Sequence, residues 1–375
     1  MEELKVLQQL YAIHRTKGIG IRSAKALIQC FGGLDGIFEW DNKPEALSAN
    51  AKLSSFRNQL KRFFESAECR ENAHREHEFM RGNGIELLPF DQAHFPNLLG
   101  QCPDAPLALM VQGTLPKAEY WVSVVGTRRA TVFGRDFCRS LIQELAPLNP
   151  VIVSGLAKGI DHCAHETALD LGLTTVACLA HGLDQIYPKE HYTLAKDIEK
   201  QGALITEFWS DSEFHPSNFL QRNRIIAGLS QVTLVIESGV KGGSLITAQF
   251  ANEYHREVFA VPGSPNQSAF AGCNELIKNH QAHMVTETAD IVRIMGWKKT
   301  GSNQETVVDI DPTQRSILKM VHDQPYIHKD ELSRSLNLNA GVLQAALLNL
   351  EISGLLLTQS GCCLLSNRGA RALDP

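Results

Sequence analysis

The stretch "IVSGLAKGIDHCAHE", Ile152 to Glu166, reads as the end of a buried strand, a turn punctuated by Gly155 and Gly159, and the start of a helix. Runs of the same texture lie on both sides of it: "WVSVVG" (121–126), "VIVSG" (151–155), "TTVACLA" (174–180), "ALITEF" (203–208), "VTLVIES" (232–238) and "VFAVPG" (258–263). Each is short and apolar at nearly every position, and helical patterns separate them. Strands apolar on both sides are buried on both faces, which is the condition of a parallel sheet covered by helices. A doubly wound α/β domain is therefore expected over residues 81–297, including its entry segment.

Two further regions flank it. Residues 1–80 are helical in pattern around "GIGIRSAKALIQCFGG" (18–33), whose Gly18-Ile19-Gly20 resembles a helix-hairpin-helix turn. A purely structural helical hairpin explains that turn as well. A polar linker at 298–311 precedes 312–375, where short amphipathic helices and two strand-like runs, "GLLLT" and "CCLLS", predict a winged helix. Its third helix, "AGVLQAALLNLEIS" (340–353), offers Gln344 and Asn349 but no Lys or Arg, so protein contact is expected of it rather than groove reading.

Composition narrows the function classes. A net charge of -5 supplies no global attraction to a polyanion, so a nucleic-acid site has to be a local basic cluster. The start, "MEELKVLQQLYAIH", lacks a basic segment followed by an apolar run, and no uncharged apolar run is long enough to span a bilayer; a cytoplasmic protein is expected. The nine cysteines form no CxxC pair and read as reduced, mostly buried thiols.

Ligands of open α/β sheets bind beyond the carboxyl ends of the strands. There the sequence places Gly126-Thr127-Arg128-Arg129, then Ser154-Gly155 through Lys158-Gly159, then His181-Gly182, then "SGVKGGS" from Ser238 through Lys241 and Gly243 to Ser244. Glycine exposes backbone N–H groups and Arg or Lys adds charge, so the recurring chemistry is that of an anion pocket. In "FLQRNRIIAGLS" (219–230), Arg222 and Arg224 straddle Asn223 at the head of an apolar helix, where surface arginines would reach phosphate and the amide a base or sugar. The alternative is a pair of solvated arginines on an amphipathic helix. No GxxxxGK[ST] loop and no strand-borne dinucleotide fingerprint is present, so ATP and NAD are not expected as cofactors.

The back half of the opening stretch admits a metal reading, since His162, His165 and Glu166 fall at i, i+3 and i+4. The spacing matches neither HExxH nor a Cys/His finger, and no metal site is expected. Cys163, in a helix interior, is expected to be a buried thiol rather than a nucleophile. Asp161 is expected to tie the loop to the helix start.

Taken together, "VVGTRRATVFG", "IVSGLAKGIDHCAHETAL", "GLDQIYPKEH", "QRNRIIAGLS", "GGSLITAQFA" and "REVFAVPG" resemble, in order and spacing, the DprA (Smf) family of DNA-processing proteins. The resemblance covers nearly the whole chain. It implies a Rossmann-like domain with an N-terminal SAM-like helical domain and a C-terminal winged helix. It also implies a dimer that binds single-stranded DNA in a basic pocket, protects incoming DNA during natural transformation, helps load the recombinase RecA, and is not known as an enzyme. By position, Arg128 falls in the family's G-[ST]-R turn, Lys158 in its SGxAxGID loop, Gly182 and Lys189 in GLDxxYP, and Arg222 to Arg224 in its RNR core. His162 and Cys163 fall at variable positions. The chain departs from the family at "EFWSDSEFHPSNFLQ" (207–221), where a Pro/Gly-rich stretch is usual, and at "NHQA" (279–282). A dimer contact near "GCNELIKNH" (272–280) is expected.

Two rivals remain. The "ESGVKGGS" turn is similar to the PGGxGT loop of lysine-decarboxylase-like nucleotide phosphoribohydrolases, though Ser244-Leu245 replaces Gly-Thr and no acid–base pair stands nearby. A transcription regulator acting through the winged helix is the other, weakened by that helix's lack of basic residues.

Overall fold

The computed structural model describes residues 2–39, 51–298, 310–359 and 361–365. Its central sheet has nine strands: β1 (Ile85–Pro89), β2 (Ala108–Gly113), β3 (Trp121–Val125), β4 (Val151–Ser154), β5 (Thr175–Cys178), β6 (Ala203–Thr206), β7 (Val232–Val235), β8 (Glu257–Ala260) and β9 (His283–Met284). Their order is β1-β2-β6-β5-β4-β3-β7-β8-β9. From β6 to β9 every neighbouring pair is parallel, and only the pairs β1–β2 and β2–β6 are antiparallel. The six apolar runs are β3 to β8. The chain starts the parallel sheet at β3, works outward to β6, then returns to lay β7 on the other side of β3. That reversal opens a crevice between the carboxyl ends of β3 and β7.

Alternate residues feed opposite layers, as a pleated strand requires. Val122, Val124 and Ile152 pack with Phe137, Leu141, Cys163 and Ala164 of the helices Val132–Leu145 and Ile160–Asp170. Val125, Val151 and Val153 pack instead with Ile225, Ala227, Ala248 and Ala251 of the helices Pro216–Leu229 and Gly243–Glu253.

The N-terminal helices share their core with the sheet's antiparallel edge: Leu7, Leu10, Ile13, Leu27, Leu60 and Met80 pack in one cluster with Leu87, Met110 and Trp209. Gly18, at φ 83, turns the chain between the helices Glu2–Arg15 and Ile21–Cys30. At the other end, helices Pro312–Asp323, Lys329–Ser335 and Ala340–Ile352 enclose Ile317, Leu332, Leu347 and Leu350 beneath a small sheet. That sheet has the order β10-β12-β11, from β10 (Ile327–His328), β11 (Leu356–Gln359) and β12 (Cys362–Leu365). This is the expected winged helix; of the linker, residues 299–309 lie outside the described residues, as do residues 366–375 of the tail. Among the described residues no helix is long and apolar enough to cross a membrane.

Candidate nucleic-acid interface

The turn after β3 is held from both flanks of the crevice. The Thr127 N–H donates to Glu237 O at 2.7 Å, and Thr127 O accepts from the Ile160 N–H at 3.2 Å. Gly159 makes the second contact possible: at φ 81 it carries the chain past this turn, and a Cβ there would lie 2.3 Å from Thr127 O. Glu237, fully buried, accepts from the Thr131 N–H at 3.0 Å and the Thr131 hydroxyl at 2.8 Å, and the same hydroxyl oxygen caps the Gly134 N–H. One residue after β7 thus fixes both the β3 turn, through its backbone carbonyl, and the start of the helix that follows, through its carboxylate.

The arginines of the "RNR" core are not at the surface. Arg222 and Arg224 are each 4% exposed, which removes both from direct phosphate contact in this conformation. The helix that carries them is buried at every position from Arg222 to Leu229, because it packs against the sheet and is not laid on its rim. Arg222 donates to the carbonyls of Gly155, at 2.7 Å, and Cys178, tying together the carboxyl ends of β4 and β5. A Cβ on Gly155 would lie 2.3 Å from its Nη1, so the glycine is there to admit the guanidinium. Arg224 pairs with buried Glu207 and donates to Asp104 O. Asn223, between them, is also buried and reaches Gly243 O at 3.3 Å.

Other expected contacts turn inward too. Ser154 is fully buried and donates to Val124 O at 2.6 Å, while Ser244 donates to the Ser238 hydroxyl at 2.8 Å. Gly182 faces the backbone of Trp209 and Ser210, and Gly126 lies under the Ile160 side chain, whereas Gly243 is open. Asp161 accepts from the Ala157 N–H at 3.3 Å and so does tie the loop, but from inside the first turn; the N-cap is Gly159, which has no side chain to cap with.

The metal triplet comes apart. His165 is fully buried and its Nδ1 meets the Thr175 hydroxyl at 2.7 Å, whereas His162 is part-exposed and packs on His191, ring centroids 4.7 Å apart. Cys163 is buried. Among the described residues no His, Cys, Asp and Glu cluster could hold a metal ion.

What stays exposed at the edge is Arg128, Arg129, Lys158, Lys189 and Lys241. Lys158 is engaged by Glu190 at 3.0 Å, and that pairing lowers the Glu190 carboxyl below its ordinary range. Arg128, Arg129, Lys189 and Lys241 have no carboxylate within ion-pair distance among the described residues. Arg128 sits over the Phe219 ring, 5.3 Å from its centroid. Phe219 in turn meets Tyr187 at 5.8 Å and Phe214 at 5.6 Å, both edge-on, and Tyr187 and Phe214 lie 4.9 Å apart.

This aromatic wall was not read from the sequence. Tyr187 and Phe214 remain 45% and 43% exposed, too open for core residues. Their only signal was that Tyr187 and Phe219 open or close basic motifs already singled out. The wall is positioned by His181, whose Nε2 accepts from the Tyr187 N–H at 3.3 Å while Nδ1 meets Gly182 O at 2.8 Å. Burial, first of all, lowers the His181 imidazole pKa and favours this neutral form. Leu156, at φ 57 in the β4 turn, is held there by burial among Ala177, Leu179 and Ile198.

Comparison with known proteins bears on this edge. Residues 86–296 match the family model described as DNA recombination-mediator protein A, and residues 302–361 match the DprA winged helix domain. The chain is similar to Protein Smf of Synechocystis sp., 33% identical over 74% of this chain and 79% of that one. It is also similar to Protein Smf of Escherichia coli, 40% identical over 55% of each chain. Among solved structures, DNA processing protein A of Streptococcus pneumoniae aligns over 76% of this chain and 97% of its own, at 30% identity and a TM-score of 0.63. DNA processing protein A of Helicobacter pylori, solved for its single-stranded DNA binding mode, aligns over 56% of this chain and 95% of its own, at 30% identity and a TM-score of 0.51.

Proposed function

The chain belongs to the DNA recombination-mediator protein A family, also called DprA or Smf, and we propose that its β3–β7 crevice binds single-stranded DNA without regard to sequence. The observation that carries this is Arg128 lying over Phe219 at the head of an exposed aromatic wall. A cation for phosphate beside rings that accept any base is the pairing sequence-tolerant single-strand binding needs. Lys189 and Lys241 extend the charge to either side of Arg128 along the strand ends. Duplex DNA hides its base faces in the stack and offers this wall nothing.

Binding rather than catalysis is part of the proposal: Glu237 and Asp161, the carboxylates nearest the crevice, are occupied by Thr131 and by the Ala157 N–H. The bound strand is then protected and passed to the recombinase RecA by a homodimer. Family membership supports this role, and exposed Met284 on edge strand β9, next to the helix Ala271–Lys278, supports a dimer face there.

The test is titration of single-stranded and duplex oligonucleotides across salt, with light scattering on the same samples. Arg128→Ala is expected to weaken binding equally on all sequences and to flatten the salt slope by about 0.7 per lost phosphate contact. Thermal stability should shift by no more than about 0.5 kcal/mol, since Arg128 is exposed. Unchanged affinity, equal affinity for duplex, or free base released from nucleotides would each overturn the reading.

A further inference from the structure

The crevice has a second flank whose apolar side chains the proposed site does not use. Val132, Phe133 and Val240 are 45%, 52% and 51% exposed. Single exposed apolar side chains are ordinary, but these belong to the start of the helix Val132–Leu145 and to the loop after β7, which are stitched together. Thr131, beside Val132, is bonded to Glu237, three residues before Val240. Phe133 stands edge-on to Phe270 at 5.7 Å, and the turn of Phe270 backs the same β7 loop, with the Gly272 N–H donating to Ser238 O at 2.8 Å. Arg129 and Lys241 flank the patch, both exposed and neither in an ion pair among the described residues. An apolar surface rimmed by free cations suits a ligand that is flat and apolar on its faces and anionic along its backbone.

We propose that Val132, Phe133 and Val240 form a second base-stacking subsite for single-stranded nucleic acid, on the side of Arg128 away from the Tyr187–Phe214–Phe219 wall. The strand order supports the placement. The first wall begins at the β5 turn and the second ends at Val240 in the β7 turn, with the Arg128 turn of β3 between them. Three strand spacings of about 4.8 Å separate β5 from β7, roughly 14 Å, so the strand crosses the sheet edge and only oligonucleotides of several nucleotides reach both walls. Phe133 is 52% exposed even with Phe137 at 6.0 Å and Phe270 at 5.7 Å, so part of its ring is open to a base.

This inference rests on the single-strand reading of the crevice, and its test separates the two. Wild-type protein, Phe133→Ala, Phe133→Leu and Phe133→Tyr are titrated with oligothymidylates of roughly 4 to 20 nucleotides. Phe133→Ala and Phe133→Leu are expected to bind the longer strands at least about fivefold more weakly and the shortest ones as wild type does, while Phe133→Tyr binds as wild type throughout. Leucine keeps an apolar contact on Phe270, so a deficit shared by Leu and Ala reports lost stacking, not lost folding. A long strand carrying 5-iodouracil should cross-link to the tryptic peptide Ala130–Arg135. If wild-type protein binds none of the strands, the single-strand reading falls and this one with it. If wild-type protein binds but Phe133→Ala matches it at every length and no cross-link reaches Ala130–Arg135, this inference alone is overturned. That holds also where the same variant instead loses RecA capture.

Discussion

Arg128 and Arg224 carry the same charge and do opposite work. Arg128 is exposed over an aromatic ring; Arg224 is sealed in the core against Glu207. Burial pushes the Glu207 carboxyl above its ordinary range even with the guanidinium beside it, so the desolvation of this pair is severe. Removing one partner then leaves a buried charge with nothing to answer it. Arg224→Ala is expected to cost about 3–5 kcal/mol in urea unfolding, while the fraction still folded keeps wild-type affinity for single strands. Loss of affinity at unchanged stability would instead return Arg224 to the binding surface. At this scale the sequence was most misleading: an RNR triplet reads as a phosphate clamp because arginine is rarely buried, and nothing local reveals that carbonyls of Gly155, Cys178 and Asp104 await it.

At the scale of elements, the six strands and the helices after them were legible, because burial on both faces writes an uninterrupted apolar run. β1 and β2 were not, since antiparallel strands in a Pro-rich stretch carry no comparable pattern, and the two-residue β9 has no pattern at all. The turn sites were legible as glycine and charge, but their staples were not. Glu237 works through Thr131, 106 residues away in sequence, and Gly134 is required because a Cβ there would lie 2.1 Å from the Glu237 carboxylate. Glu237→Ala removes the acceptor shared by the Thr131 N–H and hydroxyl, and is expected to cost about 1–3 kcal/mol. Its signature is faster amide exchange confined to residues near 127–134; uniform loosening of the sheet would assign Glu237 a general packing role instead.

For the whole molecule, the segment after β6 links the N-terminal helices to the aromatic wall. Trp209 packs on Tyr11 at 5.4 Å, Asp211 accepts from the Tyr11 hydroxyl at 2.6 Å and pairs with Arg15, and Ser210 donates to Glu76. Burial, with Asp211 adding to it, pushes the Tyr11 hydroxyl up to about 12. The same segment delivers Phe214 to the aromatic wall. Stability as a whole should depend on acid through His165. Thr175 spends its hydroxyl proton on Ile152 O, so it accepts from Nδ1–H and Nε2 is left bare in the interior. Burial, first of all, lowers the imidazole pKa to about 3. The unfolded chain takes up a proton near pH ~6.5 and the folded one does not, so this contribution is complete above that pH and shrinks as pH falls toward about 3. Melting temperatures should fall between neutral and mildly acidic pH, and His165→Gln should flatten the fall. An unchanged slope in that variant would place the acid sensitivity elsewhere.

The sequence by itself determined the parallel sheet, its covering helices, the winged helix and the glycine- and charge-bearing turns at the carboxyl edge of the sheet, because each follows from local periodicity and from the fixed geometry of strand-to-helix turns. Only the tertiary structure decided which charges face solvent. Ser154, Arg222 and Arg224 sit beside Lys158 and Arg128 in motif and chemistry, yet they are consumed within the protein. Exposure is a property of what packs above a residue, and that comes from chain segments far away in sequence.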